Sequence, residues 1–301
     1  MLKRRILSSI EKIKKEIFCF VRINEEKIFL LKEKYRTGIK SLTKKIKKGI
    51  KSHLLENPQK TLNFLFLIRT LDFSLWKNKN YFYSDLKNHL FKIFKEHQEP
   101  EKFLLGLRIK EFRKLFKLTE DVFTSEVRLK LLKEKIEWLK KEQRGNFYYF
   151  LKKYPQPEKF CFNLFRFNDF QDFYRKKQGI VYILKPNQLL YFACQKALEE
   201  FGEKTKYLNE LTVFADNVLP AVLYKEGVLQ YNRNLEKKVK KGMILKYGSY
   251  EEVALRCATL LACERIAQLL NLDSWQVDQL LWAGGSKGRK IITHKTPTLF
   301  Y

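Results

Sequence analysis

SYEEVALRCATLLACERIAQLLNLDSWQVDQLLWAGG, residues 249–285, carries the signals of two consecutive helices. Ser249 and Glu252 stand at capping-box spacing, so a helix begins there and runs on through Leu255 to Leu270. Asp273 precedes the next apolar run, and Gly284-Gly285 closes it. Working outward, apolar residues recur at steps of three and four over 5–18, 24–50, 57–70, 83–97, 108–117, 122–143, 186–201, 219–226 and 232–241. Pro186 fits a first helical position after Lys185, with Gly202 past the far end. Strand signals are few, and GIVYIL, Gly179 to Leu184, is the best of them. Tyr154-Pro155-Gln156-Pro157 and Pro297 read as turns, not linkers. The expectation is a mostly α protein: one helical domain over 1–301 with a small β element. Residues 1–20 are expected to form a basic N-terminal helix outside its core.

The chain has 301 residues, enough for a substantial core. Its net charge of +28 invites nucleic acid, an anionic membrane surface or a phosphorylated ligand. The cations, however, are spread along the chain, as expected of a compositional bias rather than a patch, and low complexity is confined to Lys-rich faces such as Lys44 to Lys51. Five Cys in no CxxC pair speak against a disulfide framework or a Cys-built zinc site and fit a reducing, cytoplasmic compartment. Four scattered His without an HExxH pair predict no protein-built metal site. LNFLFLI, Leu62 to Ile68, is too short to span a bilayer, and Arg69 closes it. MLKRRILSSIEKIKKEI has no apolar signal core, so no secretory signal and no membrane partner are expected.

Two acids stand out. Asp216 interrupts LTVFADNVLPAVLY, Leu211 to Tyr224, where burying a lone charge costs several kcal/mol. It reads equally as a functional carboxylate or as an N-cap for the helix near Leu219-Pro220, although Asn217 would cap as well. Asp278 lies inside WQVDQLLW, and its helical neighbours Ser274, Leu281 and Trp282 leave a buried and an exposed face both open. RTLDFSLW, Arg69 to Trp76, ends a helix with Asp72, Phe73, Ser74 and Trp76, which make either a stacking platform for a flat base or a capped turn with two core aromatics. Lys185 at a helix start opposes the helix dipole and suits a phosphate, although Pro186 removes an amide there. GGSKGRK, Gly284 to Lys290, lacks both a preceding strand and P-loop spacing, and reads as a flexible loop.

The order of segments resembles the queuosine-5′-phosphate N-glycosylase/hydrolase family, the queuosine salvage proteins. The pieces are ENPQKTLNFLFLIRTLDFSLW, SEVRLKLLKE, KQGIVYILKPNQLLYFACQKAL, LTVFADNVLPAVLYKEGVLQYNRNLEKKVKKG, YGSYEEVALRCATLLACERI and VDQLLW, followed by the aromatic pair Phe300-Tyr301. The resemblance implies a helical fold like that of DNA glycosylases. It implies cleavage of queuosine 5′-monophosphate into queuine and ribose 5-phosphate, for reuse of the base in tRNA modification, with no metal or organic cofactor. It places Phe214 and Asp216 on the family's Phe-x-Asp, Asp278 on the acid before its Leu-Trp, and Lys185 on its Lys before a helix. Asp72, Phe73, Ser74 and Trp76 fall on the early motif, and Glu252 and Arg256 on the long helix. The catalytic pair is then Asp216 and Asp278. The substrate-binding set is Phe214, Lys185, Asp72, Phe73, Ser74, Trp76, Asn217, Glu252, Arg256, Trp282 and Tyr301. The implied partner is the nucleotide, taken up by a monomer without a stable nucleic-acid complex. The competing expectation, which explains +28 directly, is a basic helical RNA-binding or tRNA-binding module without hydrolase activity. The chain departs from the family pattern at Asn217 and Val218, at Ala254, after Trp76 and in the HKTPTLFY tail, which bear on the phosphate and base ends of the implied site.

Overall fold

The opening segment folds as two helices, Tyr250–Leu270 and Ser274–Gly285, in a computed structural model that describes residues 1–36, 54–78, 80–285 and 291–301. In chain order the helices are α1 Leu2–Glu11, α2 Lys14–Phe18, α3 Glu25–Arg36, α4 Pro58–Leu71, α5 Tyr83–Glu96, α6 Pro100–Gly106, α7 Ile109–Leu115, α8 Val122–Glu142, α9 Phe147–Lys153, α10 Pro157–Asn163, α11 Lys185–Glu200, α12 Val218–Lys225, α13 Arg233–Lys240, α14 Tyr250–Leu270 and α15 Ser274–Gly285. Four short 3-10 helices, Leu75–Lys77, Leu164–Arg166, Asn168–Phe170 and Leu208–Glu210, and two antiparallel ribbons complete the regular elements of the described residues. In one, β1 Val21–Ile23 pairs with β4 Leu229–Tyr231. In the other, β2 Phe173–Lys176 pairs with β3 Gly179–Tyr182.

Helix α14 is apolar almost all round, and a helix of that kind belongs in the interior. Every residue from Glu252 to Glu264 is buried, and α1, α2, α3, α12 and α15 pack around it. Ser249 Oγ accepts the Glu252 amide at 3.3 Å, while the Glu252 carboxylate takes the Gly248 amide at 3.1 Å, one residue before the position a capping box uses. Asn271, in the left-handed region, ends the helix. The second centre is α4. Asn57 caps it, Pro58 opens it, and α5, α8, α9 and α11 pack on it. Phe66 of α4 stacks on Phe147 of α9 with ring centroids 4.3 Å apart.

The first helix is not outside the core. Leu2, Ile6 and Ile10 are fully buried, because the apolar stripe of α1 docks on β3 and α14 while its basic face stays in water. GIVYIL is strand only over Gly179–Tyr182, and its partner FYRK carries too much charge to advertise itself. Short helices α6, α9 and α10 escape a periodicity reading, since one and a half to two turns give too few repeats. The expected helix over 24–50 is present as Glu25–Arg36; its remainder and Lys44 to Lys51 lie outside the described residues, as does most of GGSKGRK.

Candidate active site

A cavity of about 410 Å³ opens between the α4–α5 side of the molecule and the α11, α12 and α15 side. That is the size of a small-molecule site. Leu65, Leu189, Phe192, Phe214, Trp76 and Trp282 give it an apolar lining, into which Asp72, Asp216, Asp278, Arg69, Lys87 and Lys185 bring charge.

Asp278 sits on the inward face of α15, only 4% exposed. Its Oδ1 accepts the Phe214 amide at 2.8 Å and its Oδ2 accepts the Gln279 side-chain amide at 3.0 Å. Burial is the largest influence on this carboxyl, and the nearby Asp216 charge adds to it, so the pKa is pushed up to about 7. Asp216 is half-buried at the mouth of α12. Its Oδ1 accepts the amides of Val218 at 2.7 Å and Leu219 at 3.1 Å, leaving Oδ2 without a hydrogen bond among the described residues. Asp216 therefore holds the helix start itself. Asn217, expected to cap as well, makes no cap bond and instead turns its amide to the His294 carbonyl at 3.4 Å.

Lys185 is 5% exposed at the first turn of α11. Burial lowers its pKa, Asp72 and Asp216 work against that, and Arg69 reinforces it. Leu184, in the left-handed region, turns the chain from β3 into α11, and the Lys185 amide donates to Asp172 Oδ2 at 2.8 Å. The same Asp172 carboxylate is gripped by both terminal nitrogens of Arg256, at 2.7 and 2.6 Å, while Arg256 Nε donates to the Ala215 carbonyl at 2.9 Å. One buried guanidinium thus ties the residue before Asp216 to the residue that anchors Lys185. Behind it the hydroxyls of Tyr174 and Tyr301 both donate to Glu252 Oε1 at 2.8 Å, and Tyr301 meets His294 Nε2 at 3.2 Å. Burial pushes the Glu252 carboxyl up against the pull of Arg256, and lowers His294 to about 3.

Of the residues singled out by sequence, Asp72, Trp76, Lys185, Phe214, Asp216, Asn217, Asp278, Trp282 and Tyr301 line the cavity. Phe73, Ser74, Glu252 and Arg256 do not. The Phe73 ring lies 4.2 Å under the Arg128 guanidinium, whose Nη atoms donate to the Leu71 and Phe73 carbonyls. Ser74 pins the tail, giving its amide to the Tyr301 carbonyl and its hydroxyl to the Thr298 carbonyl. The expected stacking platform is therefore split: Trp76 faces the cavity at 36% exposure and Phe73 faces the core. Sequence reading passed over Arg69, Tyr83, Lys87, Phe192 and Gln279. Arg69, which pairs with Asp72 and reaches the Tyr83 hydroxyl, did carry a signal, because it breaks an apolar run as Asp216 does.

Comparison with known proteins bears on what this cavity serves. The family described as "Queuosine salvage protein" matches residues 52–301, which is most of the chain and every residue lining the cavity. The chain belongs to that family. Among curated queuosine salvage relatives, the queuosine 5′-phosphate N-glycosylase/hydrolase of Sphaerobacter thermophilus is 38% identical over 101 residues, 31% of each chain. The protein of the same name from Nematostella vectensis is 30% identical over 161 residues, 45% of each chain. That of Bos taurus is 30% identical over 135 residues, 39% of this chain and 40% of its own. The aligned stretches span from about a third to under half the length of these relatives.

Proposed function

We propose that this chain hydrolyses the N-glycosidic bond of queuosine 5′-monophosphate to queuine and ribose 5-phosphate, as a cytoplasmic monomer on a helical scaffold of the DNA-glycosylase kind, without metal or organic cofactor. The observation that carries the reading is the convergence of Asp216 and Asp278 on one apolar, aromatic-walled cavity in a chain of the queuosine salvage family. The names of the relatives give the substrate.

Cleaving an N-glycosidic bond builds positive charge on the sugar, as in O-glycoside hydrolysis. A carboxylate with a free oxygen beside that sugar stabilises the charge and orients the attacking water. Asp216 fits, because its Oδ1 is locked by two backbone amides and its Oδ2 is unengaged among the described residues. The departing base needs a proton. Asp278 suits that task, since a carboxyl with a pKa of about 7 holds a proton for part of the time at neutral pH. Water then supplies hydroxyl to the sugar carbon and hydrogen to the base, so the reaction balances as a hydrolysis. Phe214, Trp76 and Trp282 give the base flat apolar surfaces and keep water out. Lys185 lies among Asp72, Arg69 and Asp216, where its charge balances the sugar-side carboxylate.

The test is release of queuine and ribose 5-phosphate from queuosine 5′-monophosphate, followed by mass spectrometry. Asp216→Asn, with its fold checked by circular dichroism, is expected to slow release by roughly a hundredfold or more. Release near the wild-type rate removes Asp216 from the chemistry.

A further inference from the structure

Lys87 is a cation in the cavity wall with no acid of its own among the described residues. It follows Tyr83 by one turn on α5, and the i, i+4 relation puts both on the face turned to the cavity, which both line. The neighbour is Arg69 of α4, whose Nη2 reaches the Tyr83 hydroxyl at 3.3 Å and whose guanidinium lies 5.4 Å from the centre of that ring. Arg69 is already paired with Asp72. The Lys87 ammonium makes no hydrogen bond or ion pair among the described residues. Burial lowers its pKa to about 8, and the charge of Arg69 pushes the same way.

The charges of the cavity therefore run in an order. The Asp216 charge acts on Asp278, Lys185 is offset by Asp72 and Asp216, and Arg69, already paired with Asp72, leaves Lys87 without an acid among the described residues. A half-buried cation facing only another cation is unfavourable in the empty site, and an anion placed between the two relieves it. A phosphate monoester is such an anion, doubly charged near neutral pH and able to accept from an ammonium and a guanidinium together.

We propose that Lys87, with Arg69 beside it, receives the phosphate of the nucleotide and sets the preference for nucleotide over nucleoside. This rests on the glycosidase reading of the cavity and assigns the substrate's far end within it. It leaves Lys185 to the sugar-side acids.

The experiment compares kcat/KM for queuosine 5′-monophosphate and queuosine in wild type, Lys87→Ala, Lys87→Gln and Lys87→Arg. The ratio of the two is expected to fall about tenfold or more in the Ala and Gln variants, chiefly through KM for the nucleotide, and to recover in the Arg variant. Equal losses on both substrates, or an unchanged ratio, overturn the assignment. Should wild type cleave neither substrate, the glycosidase reading fails separately. The anion site is then read by ribose 5-phosphate binding, followed through the fluorescence of Trp76 and Trp282 in the wall. Binding weakened about tenfold by Lys87→Ala supports the site. Absent binding, or equal binding by wild type and variant, overturns it.

Discussion

Asp278 shows how one side chain joins stability to chemistry. Its carboxyl is ordinarily acidic, near 3.8, and in the fold it is pushed up to about 7, by burial first and the Asp216 charge after it. The Phe214 and Gln279 amides and the Lys185 charge pull the other way and lose. Between those two pH values the folded chain keeps a proton that the unfolded chain has released. The contribution to stability is thus fully present below the unfolded value and is lost as pH rises through about 7. Asp278→Asn carries no such proton. In denaturant titrations the variant is expected to gain on wild type as pH climbs from about 4 to about 8, and parallel pH curves would remove the buried acid from the account. The same group gives kcat/KM an alkaline limb with its midpoint near pH 7 if Asp278 donates the proton to the leaving base. That limb is expected to disappear in the Asn variant.

At the scale of elements, the site is a junction held by α14. Arg256 of that helix reaches both the Ala215 carbonyl, beside Asp216, and the Asp172 carboxylate, which in turn holds the first amide of α11. Arg256 and Asp172 are both fully buried, so removing one leaves the other charged and unpaired. Arg256→Met is expected to cost about 3–5 kcal/mol in denaturant unfolding, and a loss well under that range would mean the pair does not fasten the junction. Much of this frame was legible. The Ser249 start, the Pro186 signal for a helix start, which falls one residue inside α11 because the helix opens at Lys185, and the apolar setting of Asp216 are local signals that survive in the fold. Long-range facts were not. Nothing in the mixed neighbours of Asp278 says which way it points, and it is the Phe214 amide, 64 positions away, that holds it inward. Phe73 and Trp76 lie three residues apart in one motif, yet a buried Arg128 from α8 draws the first into the core. Tyr83 and Lys87 share a helix face as plainly in sequence as in structure, but only packing against α4 makes that face a cavity wall instead of a surface.

For the molecule as a whole, the excess charge has a location. Among the described residues the fully buried cations are matched: Arg128 by Glu120, Lys135 by Asp169, Arg256 by Asp172. The remaining cations of the described residues therefore lie outside that paired interior, on the outer surface and in the cavity wall, and they contribute to a net charge of +28 for the chain. Charge spread over a surface does not select a substrate, but it raises the local concentration of any anion and quickens its arrival. A nucleotide feels that field and a nucleoside, lacking the phosphate, does not gain from it. Salt shortens the reach of the field to about 10 Å at about 0.1 M, from about 30 Å at about 0.01 M. Across that range kcat/KM for queuosine 5′-monophosphate is expected to fall several-fold while kcat holds, because the field acts on encounter and not on the bond being broken. The nucleoside is expected to show no such fall. Parallel salt curves for the two substrates would mean that the +28 takes no part in bringing the nucleotide to the cavity and is compositional bias alone.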